Sequence, residues 1–181
     1  MASLLDTVQQ HLGPNEINQI SQQLGIDPAQ AQSAINAALP MVVGGMASNA
    51  AQPSGADAIH QSLASHAGLL GNLGGLLGAA GVGDGGGLLG KILGQHQAPV
   101  QQGVSQASGL DPQKAKQLLL ILAPIVMGVL ARKHAAGQSN PAQVGDDLKR
   151  ESQTAQTQAQ SQAPHLGGLL GQIFRGAVPG A

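Results

Sequence analysis

The chain has 181 residues, of which 27 are glycine and only Phe174 is aromatic, so any core it builds is aliphatic and alanine-rich. Charged residues make up 9% of it, against about 25% in an average soluble domain, and the net charge is −1, so Gln, Ser and Asn carry the polar surface and little electrostatic repulsion opposes self-association. The absence of cysteine excludes a disulfide framework, a thiol nucleophile and a thiolate metal site.

From the start, Leu4, Leu5, Val8 and Leu12 recur at helical spacing, and Ile17, Ile20 and Leu24 do so again, which predicts two short helices. The opening MASLLDTVQQHLG has no basic segment and places Asp6 early, which argues against a secretory signal and makes cytoplasmic residence the expectation. Gly25 is expected to end the second helix in a left-handed cap, Asp27 to N-cap the third, and Pro28 to occupy its first turn, where a missing N–H costs nothing. That helix is expected to run to about Ala50, with Pro40 kinking or splitting it. Ile59 and Leu63, four apart, predict a further helix, with Ser54 and Asp57 resembling a capping box at its start. Residues 69–103 read as a Gly/Leu-rich and then Gln-rich connector, with 79–87 flexible by composition.

A shift of 84 residues lays the stretch from Ile20 on the stretch from Val104 without gaps, matching Gly25 to Gly109, Asp27 to Asp111, Pro28 to Pro112, Pro40 to Pro124 and Gly44 to Gly128. We read this as a duplicated helical unit. Its second long helix, from Pro112 to about Ala135, is the most hydrophobic stretch of the chain. The run Leu118–Ala131 would span about 21 Å as a helix, against about 30 Å of bilayer hydrocarbon, so a core helix is expected and an integral membrane span is not. Because Asn36, Ala37 and Ala38 stand where the second copy has Leu120, Ile121 and Leu122, the second unit is expected to have the firmer core. Asn140 followed by Pro141 predicts the start of a last helix carrying Val144 and Leu148. No stretch alternates convincingly. The expected fold is all-α, with two similar small helical units at 1–68 and 104–151, the connector 69–103 between them, and a polar tether with a GGLLGQIF segment at 152–181, whose Gln/Ser/Ala stretch 152–163 reads as either frayed helix or disordered tether.

Residues 1–90 contain five acidic and no basic residues, while 91–181 contain eight basic and four acidic ones, so the halves carry −5 and +4, a pattern that favours docking of one half on the other. Residues 17–39 have the layout of a helix-turn-helix presenting Gln30, Gln32 and Asn36, side chains able to read adenine edges, and the second copy adds Lys114 and Lys116. Without basic residues in the first half to neutralise phosphates, two packed helices are the favoured reading and nucleic-acid binding the alternative. The histidines at 11, 60, 66, 96, 134 and 165 form no i, i+4 pair, and Asp146 and Asp147 would diverge by about 100° on a helix. No enzyme, metal or cofactor is therefore expected. The recurring GGLLGxI(L/F) pattern supplies the candidate interaction residues, Leu88, Leu89, Ile92 and Leu93, then Leu169, Leu170, Ile173 and Phe174. On a helix each set shares one face, suited to docking on a second copy or another protein, to covering the chain's own core, or to peripheral membrane association.

The tandem DP…P…G pattern with GLLG segments resembles the bacterial YidB-like family of uncharacterised proteins. The resemblance implies a compact helical fold of homeodomain-like appearance and brings no catalytic residues with it. Likeness to a homeodomain in shape does not license DNA binding.

Overall fold

The computed structural model describes residues 3–66, 68, 71, 82–135 and 140–162, and all regular structure among them is helical. Helix α1 (Leu4–His11) starts in a reciprocal cap, the Ser3 hydroxyl accepting from the Asp6 N–H at 3.1 Å and the Asp6 carboxylate from the Ser3 N–H at 3.2 Å. Helix α2 (Pro14–Leu24) ends at Gly25, whose φ of +61° is the left-handed cap that glycine adopts without strain. Helix α3 (Pro28–Ala50) follows, with the Asp27 carboxylate accepting from the Gln30 N–H at 2.9 Å. The same local geometry recurs 84 residues later. Gly109 has φ +69°, and the Asp111 carboxylate accepts from the Gln113 and Lys114 N–H groups at 2.9 and 3.1 Å at the start of the second long helix.

The remaining elements are α4 (Pro53–His66), α5 (Val82–Leu93), a 3₁₀ turn (Gly94–His96), α6 (Gln97–Ser108), α7 (Pro112–Ala135) and α8 (Pro141–Gln162). Asn140 and Gln143 cap α8 reciprocally, each side-chain oxygen accepting from the other's backbone N–H, at 2.9 and 3.0 Å. Pro40 and Pro124 lie inside α3 and α7 without splitting either. Helix α4 begins at Pro53, so Ser54 is inside the helix and does not cap it; proline tolerates the first turn, and only Ala51 and Gln52 separate α3 from α4.

One expectation from composition is overturned and one open choice is decided. The connector 69–103 is helical over 82–108 apart from the 3₁₀ turn, including residues 82–87 of the stretch read as flexible, because burial of Leu88, Leu89, Ile92 and Leu93 offsets the cost of glycine in a helix. Residues 152–162, for which the composition allows frayed helix or disordered tether, extend α8. Alanine and glutamine are good helix formers, and Ser152 and Ala155, 5% and 1% exposed, anchor this extension in the interior.

The predicted stripes of α1 and α2 are buried, and so is every residue from Met41 to Ala50. The core is one continuous cluster from Leu4 to Ala155, which leaves no separate cores for 1–68 and 104–151 to compare in firmness. Helix α3 packs most extensively on α8 and α6, both from the second half, and α7 packs on α5, α4 and α6 and also on α1. Each long helix is thus covered largely by helices from the other half of the chain.

Helix α7 is long and apolar enough to cross a membrane, with mean hydropathy 1.7 over its most apolar window; 72% of that window is buried inside the fold. The helix has the bounds expected from the sequence, Pro112–Ala135, and passes the length criterion because it extends beyond the fourteen-residue apolar run through Gln113, Lys114 and Lys116 at one end and Arg132 and Lys133 at the other. Burial by neighbouring helices is the mark of a core helix.

Candidate interaction surface

Leu88, Leu89, Ile92 and Leu93 lie on α5 and are 7%, 0%, 0% and 0% exposed, so this copy of the Gly/Leu pattern closes over the protein's own core, against α7, α3 and α4. Leu4, Leu5 and Val8, 84 residues before Leu88, Leu89 and Ile92, are buried likewise. The second set, Leu169, Leu170, Ile173 and Phe174, lies outside the described residues.

The end of α5 is held by a residue that pattern reading missed. Asn49, 7% exposed near the C-terminus of α3, donates from its Nδ2 to the carbonyls of Lys91 and Ile92 at 2.9 and 3.1 Å, meeting two acceptors that a helix end leaves open. Gly45, one turn earlier, lets α3 approach closely, for a Cβ there would stand 2.7 Å from Leu93 Cδ2 and 2.8 Å from Val100 Cγ2. Neither residue differs in type from many others in the chain, and no sequence signal marks them.

A second polar junction ties α1, α7 and α8 together. Glu151, 9% exposed, accepts the Leu4 N–H with one carboxylate oxygen at 2.8 Å and the Lys133 ammonium with the other at 2.7 Å. One turn earlier on α8, Asp147 pairs with Arg150 and faces His134 Nε2 at 3.5 Å. Burial lowers the His134 pKa below 6.5, opposed by Asp147 and reinforced by Lys133 and His60. His96, in the 3₁₀ turn and 3% exposed, has its pKa lowered by burial as well.

The candidate nucleic-acid residues are only partly brought together. Gln32 and Asn36 are exposed one turn apart on α3, Gln30 is half-buried within its first turn, and Lys116 is exposed on α7. Lys114 reaches across halves, donating from Nζ to the Gly25 carbonyl at 3.3 Å. It therefore meets the negative C-terminal end of α2 and has a structural role that its place at the start of α7 does not suggest. Among the described residues no group of three His, Asp or Glu side chains is placed to hold a metal ion.

Among residues whose side chains are described, Ile26 and Ile121 are the only Leu, Ile, Val or Met side chains that are not buried, and both still pack against the core. The outer surface of the described helices therefore offers no large aliphatic patch. Open concavities lined by described residues include one of about 470 Å³ between α4 and α5 and one of about 620 Å³ where the end of α3 and the start of α4 face α8.

Comparison with curated proteins and with solved structures finds no match. A family model described as a bacterial protein of unknown function (DUF937), which includes YidB-like proteins, matches residues 6–133, from α1 to the last turn of α7, and the chain belongs to that family.

Proposed function

We propose that this protein is a non-enzymatic interaction module that associates with itself or another protein through its C-terminal Gly/Leu segment, Gly167–Phe174. One contrast carries the reading. The Gly/Leu pattern at Leu88–Leu93 buries all four of its aliphatic side chains, and the surface of the described helices has almost no large apolar side chain left over; yet the sequence supplies the same pattern again at Leu169, Leu170, Ile173 and Phe174. An apolar segment beyond those seated in the described core suits helix-in-groove recognition, in which a short helix lays such a face into an apolar site. The low charge of the chain supports the same reading, since little repulsion opposes association.

Light scattering tests it on the full chain and on a variant with Leu169, Leu170, Ile173 and Phe174 changed to Ser. The expected result is a concentration-dependent oligomer for the first and a monomer for the second. Monomers in both cases remove the segment as a self-association element.

A further inference from the structure

We propose that the seam between the first half of the chain, α1–α4, and the second, α5–α8, is an interaction surface for a second copy, which docks on it by reciprocal exchange of halves. Every residue of α3 from Ala37 to Ala50 is buried, and a helix buried all round needs neighbours on every side. Its own half supplies α2 and α4, whereas α8 and α6, on which it packs most extensively, and α5 come from the other half. Helix α7 packs likewise on α1, α2, α3 and α4 of the first half. Neither half therefore covers the whole of its own long helix. A half parted from its complement bares an aliphatic face, and a face of that kind is the mark of a protein–protein contact.

The seam selects its partner. Across it the Asn49 amide donates to the Lys91 and Ile92 carbonyls, Glu151 accepts the Leu4 N–H, and Lys114 donates to the Gly25 carbonyl, while Gly45 fits against Leu93 and Val100. Residues 3–66 carry four acidic side chains and no Lys or Arg, and residues 82–162 carry seven basic and five acidic ones, so opposite net charge favours the meeting of unlike halves. None of these contacts depends on which copy supplies the second half. An exchanged dimer makes each of them twice, so its stability relative to the monomer turns on the join between halves and on concentration. The fifteen residues 67–81 reach at most about 54 Å, against a width of about 40 Å for a folded chain of this length, so covalent reach permits both forms. A join of this length gives the halves an effective concentration of about a millimolar, and the dimer is expected to gain on the monomer as the protein approaches that range. Residues 167–174 play no part in the exchange.

The chain has no cysteine, and the seam offers a position for a disulfide: a Cβ at Gly145 of α8 would stand 3.9 Å from the Ala50 Cβ of α3, a separation that a disulfide spans. The double variant Ala50→Cys, Gly145→Cys is expected to close an internal bond in the monomer; its failure to do so overturns the α3–α8 seam and the exchange with it. Equal amounts of the two single variants, Ala50→Cys and Gly145→Cys, are then unfolded together, refolded reduced at about millimolar concentration and mildly oxidised. Exchange predicts a disulfide between unlike chains in roughly half of the dimers, read by mass and non-reducing electrophoresis, because random pairing makes half of them mixed and each mixed dimer brings one such pair of thiols together. Position 50 is 8% exposed, so a thiol there is out of reach of chains that merely touch at their surfaces. Absence of the linked pair overturns the exchange. Dimers seen by light scattering that carry no such link overturn it too, and they leave association through residues 167–174 standing. The link is expected to persist when Leu169, Leu170, Ile173 and Phe174 are changed to Ser; its loss in that background overturns the seam as an interaction surface in its own right.

Discussion

Replacing Asn49 with alanine measures how much of this fold hangs on one side chain. The Asn49 amide is the partner of the Lys91 and Ile92 carbonyls, at 2.9 and 3.1 Å, and the residue is 7% exposed, so water cannot freely take its place. An acceptor left unmet in a buried setting costs about 1–3 kcal/mol, and the Lys91 carbonyl is only partly buried, so the loss expected for Asn49→Ala is about 2–4 kcal/mol. For a chain of this size that corresponds to a fall in Tm of roughly 4–16 °C. Urea denaturation followed by circular dichroism gives the free energy, and the second variant, Asn49→Asp, gives the mechanism. Aspartate keeps the shape but removes the donor and sets a negative charge against two carbonyls at a helix C-terminus, so it is expected to be at least as destabilising as alanine. A change below about 0.5 kcal/mol for Asn49→Ala, the range of ordinary surface substitutions, or an aspartate variant as stable as the parent, refutes the assignment of Asn49 as the anchor of α5.

Glu151→Ala is expected to cost about 1–3 kcal/mol and to raise hydrogen exchange first at the amides of α1, because the Leu4 N–H loses its acceptor; uniform exchange across the chain would contradict that localisation. Gly45→Ala gains about 1 kcal/mol of helix propensity but forces a Cβ to 2.7 Å from Leu93 and 2.8 Å from Val100, both fully buried, where overpacking costs about 1–3 kcal/mol. Net destabilisation in thermal melts is the expected result, and a stabilised variant would refute the close approach. Stability is also expected to depend on pH through His96 and His134. Their folded-state pKa values lie below 6.5, so the unfolded chain binds protons first; the histidine contribution is fully present above pH 6.5 and is lost as pH falls towards the lowered values. Denaturation midpoints should therefore fall below pH 6.5, and less so in His96→Leu; the same fall in both would show that His96 does not contribute.

Much of the local structure was legible because its causes are local. Gly25, Asp27 and Pro28, and Gly109, Asp111 and Pro112, end one helix and start the next through contacts within a few residues, and the structure follows them closely. The aliphatic stripes likewise identified which faces turn inward. Composition misled where glycine dominated, at 82–87, and left 152–162 open between helix and tether, since a few well-placed apolar side chains on the same segment decide whether it orders. Of the candidate interaction residues, Leu88, Leu89, Ile92 and Leu93 proved to be core, an outcome that their pattern alone left open because an apolar helical face looks the same whatever covers it.

The sequence by itself determined where the described helices of the repeated stretch begin and end and that they are all-α, because capping, proline placement and periodicity act over one or two turns. Only the tertiary structure decided what each helix packs against. It brings α3 under α6 and α8 and α7 under α1, α4 and α5, gives Asn49 and Glu151 their partners 42 and 147 residues away, and assigns Lys114 to the Gly25 carbonyl of the other half. Burial is not directional, and several pairings of such aliphatic faces would remove similar area from water; close approach at glycine and the few satisfied buried polar groups single out one of them.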